Sequence, residues 1–148
     1  MKYTEIYSQF YLKMTDTSLF KLPKEDAYDQ MCGWLHSVSA IPHVRKCFSV
    51  LTFNDELNEL SFELVDSVDE YSDEEFVKEL FAQGMVIGWL RPQIDSIYNT
   101  AQVLGTKEEK PIQNNYKPNK ERLKTLEKDL KKFIRDYRYF NNKALGEL

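Results

Sequence analysis

His36 and His43 are the chain's two imidazoles, and Cys32 and Cys47 its two thiols. These side chains are the best suited to metal ligation or to nucleophile-and-base chemistry. Zinc sites draw on such residues at short, fixed spacings, and the Cys and His spacings here match no zinc pattern. No metal site is therefore expected, and both histidines are read as structural. Between Asp55 and Glu79 stand eleven acids and one base, Lys78. Carboxylates are thus available in number, but nothing in the sequence places two of them in a cleft. A calcium loop needs a Gly and regularly spaced oxygens, and that pattern is missing. There is no Gly-rich phosphate loop and no nucleophile elbow. The expectation is a protein with no catalytic residue, no cofactor and no metal.

The elements that would position these residues read mostly as helices. Tyr3 to Met14 is a short one, with Ile6, Phe10 and Met14 on one face. Leu19 and Phe20 are expected to dock on the core. Pro23 suits the first turn of a second helix, in which Tyr28, Met31, Cys32, Leu35 and Val38 keep the helical period until Pro42 ends it. Gly33 weakens that helix without forbidding it.

From Cys47 the pattern changes. FSVLTF is short and β-branched, NDELN can turn, and ELSFELV alternates with Leu60, Phe62 and Leu64 on one side. The stretch from about 48 to 66 reads as a β-hairpin. A helix is the rival, because Phe53, Leu57, Leu60, Leu64 and Val68 are also spaced by three and four. A lone hairpin is marginal in water, so it must lean on helices or pair with another copy.

Ser72 to Leu104 is the longest helical pattern. Ser72 and Glu75 have capping-box spacing, and Phe76, Val77, Leu80, Phe81, Ile87 and Leu90 recur at helical steps. Pro92 removes an amide and crowds the carbonyl of Gly88. A bent helix or two abutting helices are expected there, with Ile94, Ile97, Tyr98, Ala101 and Leu104 continuing the stripe and Gly105 as the stop. Gly84 and Gly88 let another backbone come close, either within the core or from another subunit. Thr106 to Pro118 reads as a polar loop. Asn119 then caps a basic helix of about 119–140, striped by Leu123, Leu126, Leu130, Phe133, Ile134 and Tyr137, before a short tail. The fold class is mainly α: a bundle of about four to five helices, the central one kinked at Pro92, with one inserted hairpin.

A chain of 148 residues, 42% hydrophobic and 30% charged, fits one ordinary globular domain spanning 1–148 rather than a disordered segment. MKYTEIYSQF has no apolar h-region, and no run approaches a membrane span. The expectation is a soluble protein made in a cytoplasm, with both cysteines reduced and buried. The acidic stretch has a counterpart: from Lys117 to Lys143 there are ten bases and four acids. The two are either solvated faces or a head-to-tail contact between copies, which closes into rings or runs on as filaments. The basic helix, with Tyr137, Tyr139 and Phe140 interleaved, is also compatible with tracking a nucleic-acid backbone. Its own acids and the net charge of −4 weigh against that.

Gly84-Met85-Val86-Ile87, Trp89-Leu90 and Pro92-Gln93 resemble a family of small structural proteins of tailed bacteriophages, the neck or head–tail connector (adaptor) proteins. So do GTKEEK at 105–110, YTEIYSQFYLKMTD at 3–16 and the Ile134–Tyr137 region. There are departures: PIQNNYKPN replaces the family's aromatic-Ser-Gln-Ala-Asn run, and Gly88 stands where a Glu is usual. The resemblance implies a virion subunit in the neck, made in a bacterial host. Its copies would form a ring, often of twelve, between the portal protein and the next neck or tail component. DNA would pass through that ring without sequence-specific binding, and no membrane is involved. Candidate subunit or partner contacts are Trp89, Arg91, Gln93, Lys107, Lys110, Lys131, Lys132, Arg135, Glu74 and Glu75. The alternatives are another phage tail or baseplate structural protein, or a small non-enzymatic regulatory protein-binding module.

Overall fold

The computed structural model describes the backbone of residues 1–14, 18–104 and 106–146, and the side chains of 1–14, 19, 21–96 and 118–139. In chain order the elements are α1 (Tyr3–Lys13), a 3-10 turn (Ser18–Lys21), α2 (Lys24–Ser39), α3 (Pro42–Arg45), β1 (Phe48–Asn54), β2 (Glu59–Leu64), α4 (Glu70–Leu104) and α5 (Thr106–Gly146). The protein is mainly helical with one antiparallel hairpin, as the periodicities predict. α4 is the axis of the packing: α1, α2 and α5 all lie against it. Val77, Leu80, Phe81, Ala82 and Met85 of α4 are fully buried at the centre.

The hairpin has the expected alternation and leans on the helices. Phe53 pairs with Leu60, and Asn54 with Glu59, across a four-residue turn. Asn54 Oδ1 accepts the Leu57 amide at 3.1 Å, and Asn58 takes a positive φ of 53°, a conformation Asn tolerates. Phe48 and Phe53 both set their rings against Phe81 of α4. The first residues add a short third lane to the outer edge of β2. Met1 and Leu60 exchange backbone hydrogen bonds, and the Tyr3 amide donates to the Asn58 carbonyl. This ties the start of the chain to a turn more than fifty residues later.

Several expectations are corrected. The cap of α4 is Asp69, not Ser72: Asp69 Oδ1 accepts the Ser72 amide at 2.7 Å, and the helix begins at Glu70. That bond holds the Asp69 carboxyl below its ordinary range. Of the two arrangements expected at Pro92, the structure has the single continuous helix and not two abutting ones. Pro23 precedes α2 as its cap residue rather than opening it. Pro42 opens the short α3, while α2 has already ended at Ser39. The polar stretch from Thr106 to Pro118 is helical rather than a loop, so Asn119 lies within α5 and caps nothing. The short tail is likewise helical as far as Gly146. The stop Gly105 and the side chains of Phe20, Ile97, Tyr98, Ala101, Leu104 and Phe140 lie outside the described residues.

Candidate functional site

Cys32 and His36 are one turn apart on α2, so their side chains share a face. The hairpin turn brings Asp55 onto that face. His36 Nε2 lies 2.8 Å from Asp55 Oδ1 and 3.1 Å from Oδ2, and Cys32 Sγ lies 4.0 Å from Oδ1. One ligand atom from each of the three falls within 4.8 Å of the other two. The group is held from several sides. The buried Tyr3 donates its hydroxyl to Asp55 Oδ1 at 2.6 Å. The His36 ring packs on Phe53, with centroids 4.6 Å apart, and edge-on against Tyr3. Beside the group opens a cavity of about 400 Å³, lined by Tyr7, Tyr28, Glu25 and Asp29. Tyr7 and Cys32 share the wall of this adjoining cavity.

The electrostatics follow from these contacts. The Tyr3 and His36 hydrogen bonds hold the Asp55 carboxyl below its usual range. Burial, with Asp55 adding to it, pushes the Tyr3 hydroxyl up. Burial first and Asp55 second push the Cys32 thiol up. Both cysteines are free thiols, as expected, but only Cys47 is fully buried; Cys32 is half-exposed.

The contact residues named from the sequence are spread over two regions. Glu74 and Glu75 stand at the start of α4, about 24 Å along the helix from Arg91 at 1.5 Å per residue. Glu74 is exposed, and Glu75 pairs with Lys78 at 3.0 Å. Trp89 is half-buried beneath the Arg122 guanidinium, 5.6 Å from its ring centre. Gln93 is exposed and donates to the Trp89 carbonyl. Arg91 pairs with Glu127 of α5 at 2.5 Å. The fold brings Arg91 and Lys131 together on the wall of one cavity of about 420 Å³, completed by Ser37, Ile41 and His43. Lys132 and Arg135 are exposed on α5. The side chains of Lys107 and Lys110 lie outside the described residues.

α4 and α5 run antiparallel. Phe76 stacks on Tyr137 with centroids 4.0 Å apart, Tyr137 donates to Asp73, and Arg138 pairs with Asp66 at 2.6 Å. The acidic start of α4 and the basic end of α5 therefore lie side by side at one end of the chain. Part of the charge asymmetry is satisfied internally. Gly84 and Gly88 also serve an internal contact, facing Val38 and Ser37 of α2.

Among the described residues no helix is long and apolar enough to cross a membrane. No family model, no curated protein and no solved structure matches this chain.

Proposed function

We propose that this chain is a structural subunit of a tailed-phage neck, a head–tail connector that works as a ring and carries out no covalent chemistry. The observation that carries the reading is the segment GMVIGWLRPQIDSI with its companion GTKEEK, which resemble that family. Met85, Val86, Ile87, Leu90 and Ile94 of this segment are buried, while Arg91 and Gln93 face outward. The same segment thus supplies core on one face and contact groups on the other.

The mechanism is geometric. Each copy offers one surface to the portal protein and another to the next component, and the ring leaves a passage for DNA. Two exposed surfaces have the chemistry for a contact between unlike faces of neighbouring copies. One is an exposed Tyr71 ringed by Asp69, Glu70 and Glu74, just after the exposed Val65 and Val68 in the chain. The other is the basic face of α5 at Lys131, Lys132 and Arg135. The deciding experiment is mass spectrometry of purified virions, quantified against the portal protein. The expected result is the chain present at a fixed ring stoichiometry. Intact particles that lack the chain would end the proposal.

A further inference from the structure

We infer that Cys32, His36 and Asp55 form a binding site for a divalent transition-metal ion, with Zn²⁺ as the best fit. The argument starts from the donor set. A thiolate, an imidazole and a carboxylate together suit a cation of intermediate softness such as Zn²⁺ or Co²⁺, and suit Mg²⁺ or Ca²⁺ poorly. Bonds of about 2.0–2.3 Å give a zinc tetrahedron edges of roughly 3.3–3.7 Å. The observed separations of 2.8 Å between His36 Nε2 and Asp55 Oδ1, and 4.0 Å between Cys32 Sγ and Asp55 Oδ1, bracket that edge. Small side-chain rotations close the difference, since all three ligand atoms already lie within 4.8 Å of one another.

The surroundings support the ligands as well as supplying them. Tyr3 donates to the carboxylate that would bind the ion, the kind of outer hydrogen bond that fixes a ligand's orientation. Packing on Phe53 and Tyr3 holds the imidazole plane. Three protein ligands leave a fourth position, and the cavity beside Cys32 and Asp55 has room there for water or a further ligand. The ligands come from two elements, α2 and the hairpin turn. An ion at this point would clip the turn to the helix and so to the chain's first residues, which Tyr3 ties to Asp55 and Asn58.

The inference is independent of the neck reading, and its test uses the purified full chain alone. The chain is stripped with a chelator and titrated with Co²⁺, and its absorption is recorded. The expected result is one Co²⁺ per chain, with a thiolate-to-cobalt charge-transfer band that Zn²⁺ displaces, and a higher melting temperature with Zn²⁺ bound. Cys32→Ser should abolish the band, while Cys47→Ser should leave it unchanged. His36→Gln and Asp55→Asn should each weaken binding by more than about tenfold, and Tyr3→Phe by about tenfold. Circular dichroism establishes that each variant is folded. A wild-type chain without the band overturns the site. A band that survives Cys32→Ser overturns it too, as does unchanged affinity in folded His36→Gln.

Discussion

Gly33 and Gly84 face opposite surroundings, and a single methyl group reads the difference. A Cβ on Gly33 meets nothing within 4 Å on the exposed face of α2. Gly33→Ala should therefore gain the full helix preference of alanine, about 0.5–1 kcal/mol. A Cβ on Gly84 lies 2.7 Å from both Val38 methyl groups. Val38 is fully buried, and a β-branched side chain in a helix has one favoured rotamer, so it cannot turn away. Gly84→Ala must push α2 off α4 and should cost about 1–3 kcal/mol, as overpacked cores do. Urea unfolding of both variants checks the pair, and Gly84→Ala should cost less in a Val38→Ala background. Equal effects of the two alanines would refute the close approach. At this scale the sequence is half informative. Four-residue spacing announces that Gly84 and Gly88 admit a neighbour, but not that the neighbour is α2. In the same way, Cys32 and His36 share a helix face by spacing alone. Asp55 joins them only because the hairpin folds back across that face, and no local pattern encodes such a return.

The pairing of α4 with α5 depends on a small knot of groups at their shared end. Asp73, almost fully buried, accepts hydrogen bonds from Ser67, the Val68 amide and Tyr137. Tyr137 also stacks on Phe76, which lies in turn against Phe133. Burial first, then the bond to Asp73, pushes the Tyr137 hydroxyl above its ordinary range. Tyr3, Tyr7 and Tyr11 shift the same way, each chiefly through burial. Above about pH 10 the unfolded chain releases these protons while the folded chain keeps them, so the unfolded state binds fewer. Stability is therefore fully present below about pH 10 and falls as the pH rises beyond it. Tyr137→Phe keeps the stack and removes the titrating group. It should cost about 1–2 kcal/mol at neutral pH and make the decline above pH 10 shallower. Urea unfolding from pH 7 to 11 measures both, and an unchanged alkaline slope would refute the assignment. Hydrophobic period sufficed for α1, α2 and most of α4, because each buries one regular face, whereas the hairpin also needed its β-branched run and the NDELN turn, since its apolar spacing fits a helix as well. The first third of α5 was illegible for a physical reason. Pro111, Pro118 and three asparagines signal a break, yet helix-favouring Lys and Glu at 107–110 and continuity with the amphipathic part of α5 outweigh them. The cap of α4 was misplaced by three residues because Asp69 and Ser72 both suit the position, and the Asp69 side chain takes the amide.

For the molecule as a whole, the antiparallel α4–α5 pair changes how copies of the proposed ring would meet. If the acidic and basic stretches lay at opposite ends, neighbours would join end to end. Here Asp66 with Arg138, and Asp73 with Tyr137, hold the two stretches side by side. The exposed charges that remain face outward from adjacent helices. Contact between copies should then be lateral, the basic flank of α5 meeting the acid-rimmed patch at Tyr71 on the next copy. Charge reversal tests this directly. Lys131 and Lys132 are exposed, and the Arg135 side chain is 71% exposed with its nearest acid, Asp136, at 3.7 Å. Changing all three to Glu costs a few tenths of a kcal/mol per new like-charge pair along the helix and should leave the monomer folded. Opposite the Asp69, Glu70 and Glu74 rim, the same three changes replace attraction with repulsion, which sharply disfavours a mismatched interface. Particles made with the triple variant should carry less of this chain and join heads to tails less often, as counted by electron microscopy. Adding Glu70→Lys and Glu74→Lys to the same chain should restore part of the loss, since reversing both faces recovers complementarity. Full assembly by the triple variant, or no recovery with both faces reversed, would remove this pair of surfaces from the proposed interface.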